Sequence, residues 1–288
     1  MNKSDLKRMA YNNPITRYFK RNAMILCALI VMGVLLSLIS NSFFSKANLL
    51  SVLRQASTNT ILSLAMAMVL IIGCIDLSIS SVLALSGALC VMMINVGMPT
   101  YLALLITLAF GAFCGLLNGL LVAYTAIPPF IITLATQQCF RGTVYLLTDG
   151  RTIMCYEPSF TNIGTGSILG LPIPVWIVII VLAFVAILLG QSKFGRRMYA
   201  IGGNKSAAIY SGIKVQRISV VVYLLTGILA ALAGVVLSSR TYSCQPTAGD
   251  GYECDAIAAA VLGGVSFNGG IGTAGGVLIG ALVIAFLN

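Results

Sequence analysis

Histidine is absent from this chain, and only seven of its 288 residues are acidic. Without imidazole, the chain lacks the commonest general base, proton relay and transition-metal ligand. The few carboxylates include no evident acid–base pair, which disfavours a membrane enzyme. The phosphate-binding pattern Gly-x-x-x-x-Gly-Lys-Ser/Thr is also missing. We therefore expect no catalytic residue, no metal site, no bound cofactor and no ATP hydrolysis by the chain itself.

Charged residues of either sign make up only 8% of the chain, whereas 59% is hydrophobic. Soluble domains carry about 25% charged residues, and a membrane-spanning helix needs roughly 20 mainly apolar ones. The composition predicts an all-α, polytopic transmembrane helical bundle of about eight to ten helices, including broken or re-entrant segments. The apolar runs predict helices near 24–43, 48–72, 79–97, 101–124, 128–148, 173–190, 216–239 and 272–288.

The positive charge is concentrated in two segments. Six basic residues lie between Met1 and Arg21, and six more lie between Gln191 and Arg217 without an acidic residue among them. The positive-inside rule places both segments in the cytoplasm, and six predicted crossings between them agree with that placement. We expect the charge to set topology and not to bind nucleic acid.

This topology predicts the organisation of the chain. Residues 1–23 form a cytoplasmic N-terminal segment, and residues 24–288 form the transmembrane domain. Within that domain, residues 191–217 form a cytoplasmic loop, and residues 149–172 and 240–252 form external loops.

The cytoplasmic loop contains a short helix that is too short to span a membrane. Asn204 is a plausible N-cap and Gly212 a plausible C-terminal stop. Between them the helix carries small side chains at Ala207, Ala208 and Ser211. The defined ends favour a docking element, although a simple connector is the alternative.

Four stretches match one known family in the same order along the chain: Gly73–Ser81, Ile127–Gly142, Ala200–Ile213 and Glu253–Ser266. In these stretches the chain resembles the permease subunits of ATP-binding cassette (ABC) importers of the ribose, galactose and xylose type. Cys74 replaces a usual glycine and Cys254 a usual leucine. Family members generally continue beyond Asn288 with a further helix, so a missing C-terminal segment is expected.

The resemblance implies the ABC importer permease fold and a path for a simple sugar across the bacterial inner membrane, with the N-terminus in the cytoplasm. It also implies three protein partners: a cytoplasmic ATPase that hydrolyses the ATP, an extracytoplasmic sugar-binding protein, and a second permease subunit that is identical or similar. The residues implied to dock into the ATPase are Gly202, Gly203, Asn204, Ala207, Ala208, Ser211 and Gly212.

Polar side chains on apolar helices are candidates for the sugar path. Asn118, Thr133, Gln137 and Gln138 can hydrogen-bond passing sugar hydroxyls, or they can bond neighbouring helices. At the outer side, the long side chain of Arg141 can snorkel to the interface.

Two acidic residues at the outer side, Glu253 and Asp255, begin the helix that follows the second external loop. They either face the docked binding protein or the sugar, or they favour a helix N-terminus.

Asp76 is the one charged residue between Ile61 and Gly97, and a carboxylate at bilayer depth usually has a partner or a function. In our preferred interpretation, Gly73–Ser81 interrupts a helix, and Asp76 and Ser78 accept the free N–H groups of the next helix. The alternatives are direct sugar contact or, in an ion-coupled secondary transporter, a proton or sodium site.

Val261–Gly275 has a faintly similar interrupted pattern, so the two interruptions are either an internal repeat or a chance likeness. Of the external cysteines Cys155, Cys244 and Cys254, at most two can pair in a disulfide.

Overall fold

The computed structural model describes residues 44–287 and the isolated positions 27, 31 and 33. The predicted first helix, 24–43, therefore lies almost entirely outside the described residues. The described part contains eleven α-helices: α1 (Lys46–Ile71), α2 (Ile79–Asn95), α3 (Thr100–Tyr124), α4 (Pro129–Thr148), α5 (Pro158–Thr165), α6 (Ile173–Gln191), α7 (Lys193–Gly203), α8 (Lys205–Tyr210), α9 (Val215–Thr241), α10 (Tyr252–Leu262) and α11 (Ala274–Leu287).

Four two-residue strands lie in the predicted external loops. Strand β1 (Ile153–Met154) pairs antiparallel with β4 (Ser243–Cys244), and β2 (Ser167–Ile168) pairs antiparallel with β3 (Leu171–Pro172). The all-α prediction is confirmed for the bundle. The strands and helix α5 were missed because elements this short carry no readable hydrophobic period.

Helix α1 is the central element of the described bundle. Every residue from Ala56 to Ile71 is buried, including the polar run Ser57–Thr60. Five helices pack around α1, namely α6, α7, α9, α10 and α11. Because protein surrounds residues 56–71 of α1 on all sides, polar side chains there do not contact lipid.

Within residues 44–287, three helices, α3, α6 and α9, are long and apolar enough to cross a membrane, and α2 and α11 are shorter apolar helices. Helix α1 fails this hydropathy criterion although it has 26 residues. Its many polar residues before Ile61 explain the failure, and four of them, Ser57–Thr60, pack inside the protein.

Glycines on α3 allow α9 to approach at backbone distance. A Cβ at Gly111 would collide with Gly227 of α9, and a Cβ at Gly115 would lie 3.1 Å from the Cα of the same residue. Gly119 lies equally close to Val220. The spacing of four places these three glycines on one face of α3, where small residues let two helix backbones approach closely.

The second glycine series also packs against a neighbouring helix. Gly276 and Gly280 of α11 face Gly263 and the end of α10. Gly272, which shares their spacing of four, precedes α11 and belongs to the segment before that helix. It therefore does not extend the helical face.

Both predicted interruptions are present, one between α1 and α2 and the other between α10 and α11. They meet in space, because the backbone N–H of Gly270 donates to the carbonyl of Ile71, 2.9 Å away, at the end of α1. The interruptions thus form one connected feature of the bundle. Their origin in an internal repeat stays a prediction.

Candidate functional site

The predicted docking helix is present as α8, and the structure adds helix α7 directly before it. Asn204 directly follows α7 and caps α8, since its Oδ1 accepts from the backbone N–H of Ala207 at 2.9 Å. Gly212 has φ +79°, a left-handed conformation that suits glycine, and Ile213 N donates back to Ala208 O at 3.0 Å. The predicted N-cap and stop are both confirmed.

The seven residues implied to dock into an ATPase divide into two groups. Five are exposed and form a free surface: Gly203, Asn204, Ala207, Ser211 and Gly212. The other two face the bundle. Ala208 is 4% exposed in the main core, and Gly202 is half-buried against Ile71 and Gly270.

Asp76 is buried in the interruption between α1 and α2. Its Oδ1 accepts from the backbone N–H of Ser78 at 3.0 Å and from the Ser78 hydroxyl at 2.6 Å. Asp76 thus accepts the backbone N–H of the residue directly before α2, and its mainly structural role stays a prediction. Among residues 44–287 Asp76 has no cationic partner, since the ion pair found there joins Arg141 to Asp250.

Ser78 behaves differently from the prediction. Its side chain makes no capping bond to the start of α2. Instead, its hydroxyl donates to Asp76 and accepts from Asn118 Nδ2 at 2.7 Å. The hydroxyl proton is drawn to the carboxylate, which is the stronger acceptor, so the prediction that Ser78 caps the helix is wrong.

Asn118 and Thr133 complete a polar cluster around the break. The Thr133 hydroxyl accepts from Leu77 N at 3.2 Å and is 3.1 Å from the carbonyl of Pro129, to which it donates. Asn118 is fully buried, and within the described residues its Oδ1 has no hydrogen-bond partner. Four of the predicted path residues, Asp76, Ser78, Asn118 and Thr133, are thus brought together.

A second polar cluster lies further along α4. Gln137 Nε2 donates to Glu253 Oε1 at 3.0 Å and to Ser80 Oγ at 3.4 Å. Within the described residues, the other carboxylate oxygen of Glu253 is buried without a partner. Thr133 and Gln137 are four residues apart, so the same face of α4 borders both clusters.

Arg141 continues that face of α4. Its Nη1 donates to the carbonyls of Pro246 and Ala248 at 2.7 and 2.9 Å, and its Nη2 lies 2.7 Å from Asp250 Oδ1. The side chain is only 12% exposed. The prediction that Arg141 snorkels towards the interface is therefore wrong, because the carbonyls of Pro246 and Ala248 satisfy the guanidinium inside the protein.

The other predicted residues lie apart from these clusters. Gln138 is exposed, because it follows Gln137 by about 100° around α4. Asp255 is half-buried and lies with Glu253 in the first turn of α10, so their predicted position at a helix N-terminus is confirmed.

The thiols of Cys155, Cys244 and Cys254, which were predicted to be external, are free. Cys155 and Cys244 are buried at the β1–β4 ribbon, whereas Cys254 is exposed on α10.

A cavity of about 300 Å³ separates α8 from the first interruption. Lys205 and Ile209 of α8 line one side, and Cys74 lines the other. A larger cavity of about 620 Å³, between the start of α3 and α5, contains none of the predicted path residues.

The two clusters consist of amide, hydroxyl and carboxylate groups. Amides, hydroxyls and carboxylate oxygens supply both donors and acceptors for neutral polar ligands. Among the described residues, no group of three or more histidines, cysteines or acidic residues could hold a metal ion.

Sequence reasoning missed Ser80 and the Arg141–Asp250 contact. The spacing of four from Thr133 through Gln137 to Arg141 was the available signal for a common face.

Known proteins match this chain over nearly its whole length. Residues 48–288 match the family described as the permease component of the branched-chain amino acid transport system. The ribose import permease of Haemophilus influenzae is 45% identical over 91% of this chain and 82% of its own length. The D-allose transport system permease of Escherichia coli is 36% identical over 90% and 80%, respectively.

The L-arabinose ABC transporter permease of Azospirillum brasilense is 34% identical over 90% of this chain and 77% of its own length. No solved structure matches the chain. These relatives give no support to an ion-coupled secondary transporter. The chain is a multi-pass membrane protein and belongs to the permease components of ABC importers, in the family that includes these sugar permeases.

Proposed function

We propose that this chain forms the path by which a simple sugar, with D-ribose as the first candidate, crosses the bacterial inner membrane. The similarity to a ribose import permease, 45% over 91% of the chain, is the observation that carries this proposal. Allose and arabinose are the next candidates, because the more distant relatives are named for them.

The polar clusters support a polyhydroxylated substrate. Asn118 Oδ1 and Glu253 Oε2 are buried acceptors without a partner among the described residues, and such atoms favour a ligand that brings hydroxyl donors. Gln137 adds an amide to the second cluster. We propose the α4 face bearing Thr133 and Gln137 as one wall of the path, with Asp76 and Ser78 holding the break beside it and Asp255 at the outer approach.

The rest of the assembly follows from the same function. We propose that a second permease subunit completes the path and that a cytoplasmic ATPase docks on the exposed surface of α8. ATP is hydrolysed by that partner, and this chain binds no cofactor. Residues 1–23 and 191–217 lie in the cytoplasm, while 149–172 and 240–252 face the sugar-binding protein outside.

Reconstitution tests this function directly. Proteoliposomes containing the permease, its ATPase and its binding protein are supplied with radiolabelled D-ribose, D-allose or L-arabinose, with and without internal ATP. We expect ATP-dependent uptake of one of these sugars that continues after ionophores collapse the ion gradients. Uptake that stops with the ionophores while ATP remains would refute the proposal.

A pair of variants tests the docking surface in the same preparation. Ala207 is exposed on α8, and Ala186 is exposed on α6. We expect Ala207→Trp to block ATP-driven uptake by filling the docking surface, whereas Ala186→Trp leaves uptake unchanged. Equal uptake by both variants would contradict docking at α8.

A further inference from the structure

The end of helix α7 contacts the backbone of both helix interruptions. Gly270 N donates to Ile71 O at 2.9 Å, which joins the segment before α11 to the end of α1. Gly202 lies directly against this hydrogen bond, and a Cβ at Gly202 would collide with both of its atoms. Three separate parts of the chain therefore meet at one point without an intervening side chain.

The contact is equally close when viewed from the second interruption. A Cβ at Gly269 would lie 2.9 Å from the Cα of Gly202 and 3.0 Å from the backbone nitrogen of Gly73. A Cβ at Gly270 would lie 2.9 Å from the Cα of Gly203. Gly269 and Gly270 also have φ of +89° and +75°, which only glycine adopts easily. We call Gly202, Gly203, Gly269 and Gly270 the glycine junction.

A side-chain hydrogen bond runs parallel to the glycine junction. The hydroxyl of Tyr199, one turn before the end of α7, donates to the carbonyl of Gly272 at 2.9 Å. Met198 and Ile201 are 0% and 3% exposed and anchor α7 in the main core. Helix α7 is thus held to the second interruption by packing and by this hydrogen bond.

The junction lies directly beside the docking surface. Gly203 ends α7, and Asn204 both follows it and caps α8. Since no flexible linker separates α8 from Gly202, a displacement of α8 moves Gly202 as well. Close packing then passes that displacement to Ile71 and Gly270, because packed interiors transmit strain.

We propose that the glycine junction transmits the movement of the docked ATPase to both helix interruptions at once, with Gly202 as the positioning residue between them. The proposal rests on the proposed function, since it requires an ATPase on α8. It assigns a mechanical role to Gly202 that differs from docking. The exposed residues of α8 receive the ATPase, whereas Gly202 faces inward and carries the displacement to the bundle.

Cys74 provides a readout that does not depend on any sugar. It follows Gly73 in the first interruption and lines the cavity beside Lys205 and Ile209. Cys27, Cys139 and Cys254 are exposed, and their replacement by serine leaves Cys74 as the half-buried thiol for maleimide labelling. The labelling rate in membranes containing the permease and its ATPase is compared without nucleotide and with ATP plus vanadate.

We expect the labelling rate of Cys74 to differ between the two states in this background. Gly202→Ala should abolish the difference and lower ATP-driven uptake about tenfold. The added Cβ overpacks the contact, and the population of the correctly packed junction should fall by about the same factor. Tyr199→Phe, which keeps its ring packed, should lower the difference about threefold through loss of one hydrogen bond. Gly190→Ala is the matched control, because nothing lies within 4 Å of a Cβ there.

The outcomes separate the junction from the sugar path. Full ATP-dependent labelling in both Gly202→Ala and Tyr199→Phe would overturn the proposal. So would loss of the assembled complex in Gly202→Ala together with normal labelling in Tyr199→Phe, because Gly202 would then serve folding alone. A background chain that shows the labelling change but transports none of the three sugars would refute the proposed substrate and leave the junction supported.

Discussion

Arg141 makes two kinds of contact with residues 240–252. One is an ion pair with Asp250, and the other is a pair of hydrogen bonds to backbone carbonyls. Replacing Arg141 by leucine removes the ion pair with Asp250 and also the two hydrogen bonds to Pro246 O and Ala248 O. Replacing Asp250 by asparagine removes the ion pair alone. The two variants thus share one lost interaction and differ in the others.

The free-energy contributions of the ion pair and of the two hydrogen bonds predict very different losses of stability in the two variants. Asp250 is 59% exposed, and exposed ion pairs contribute about 0–1 kcal/mol. The Arg141 Nη2 contact also lacks hydrogen-bond alignment, although it is 2.7 Å long. Each hydrogen bond from a charged donor to a buried carbonyl contributes about 1.5–3 kcal/mol. We therefore expect Arg141→Leu to destabilise the loop by about 3 kcal/mol or more and Asp250→Asn by less than about 1 kcal/mol.

Amide hydrogen exchange of residues 245–252 in the purified permease measures this difference. Several amides there form turn hydrogen bonds, including Ala248 N to Gln245 O and Asp250 N to Thr247 O. Arg141→Leu should accelerate their exchange by roughly a hundredfold, and Asp250→Asn by less than about fivefold. Exchange in α6 is the internal reference. Equal acceleration by the two variants would refute the assignment of the loop's stability to the carbonyl contacts.

Two further predictions concern the bundle interior. Asp76→Ala should lower thermal stability in detergent by about 0.5–2 kcal/mol through loss of the acceptor for Ser78 N, whereas Asp76→Asn keeps that acceptor and most of the stability. Normal stability of Asp76→Ala would contradict the structural role, and a changed KM for sugar in a stable Asp76→Asn would assign sugar contact. Gly115→Ala should cost about 1–3 kcal/mol by overpacking against α9, whereas the open position Gly142→Ala should not destabilise the protein. Equal melting temperatures for the two glycine variants would show that α3 and α9 can separate without cost.

The sequence predicted the long helices well, because each combines an apolar run with polar or glycine-rich ends. Seven predicted helices agree with the structure within two residues at each end. The short helix α8 was also predictable, since Asn204 and Gly212 specify its ends by local chemistry. Local chemistry equally indicated that Asp76 belongs to a helix start.

Features that depend on distant contacts were not predictable. Strand β1 exists because β4, about 90 positions later, pairs with it. No local sequence pattern in two residues indicates that pairing. Arg141 was misplaced at the interface because its partners, Pro246 O and Ala248 O, are backbone atoms that any residue type would offer. Ser78 was assigned to the wrong bond because its hydroxyl oxygen accepts from Asn118, 40 residues away, and not from a backbone N–H of α2.

The burial of residues 56–71 of α1 has a consequence for how the chain enters the membrane. Ser57, Thr58, Asn59 and Thr60 make the middle of α1 poorly suited to lipid, and Arg54 bonds to Thr165 O, which is synthesised 111 residues later. The helices that shield α1, including α9 and α10, are made later still. Helix α1 therefore reaches its stable packing only after most of the chain has been synthesised. The most buried helix is thus made before the helices that stabilise it. The centre of this bundle is completed by its C-terminal half.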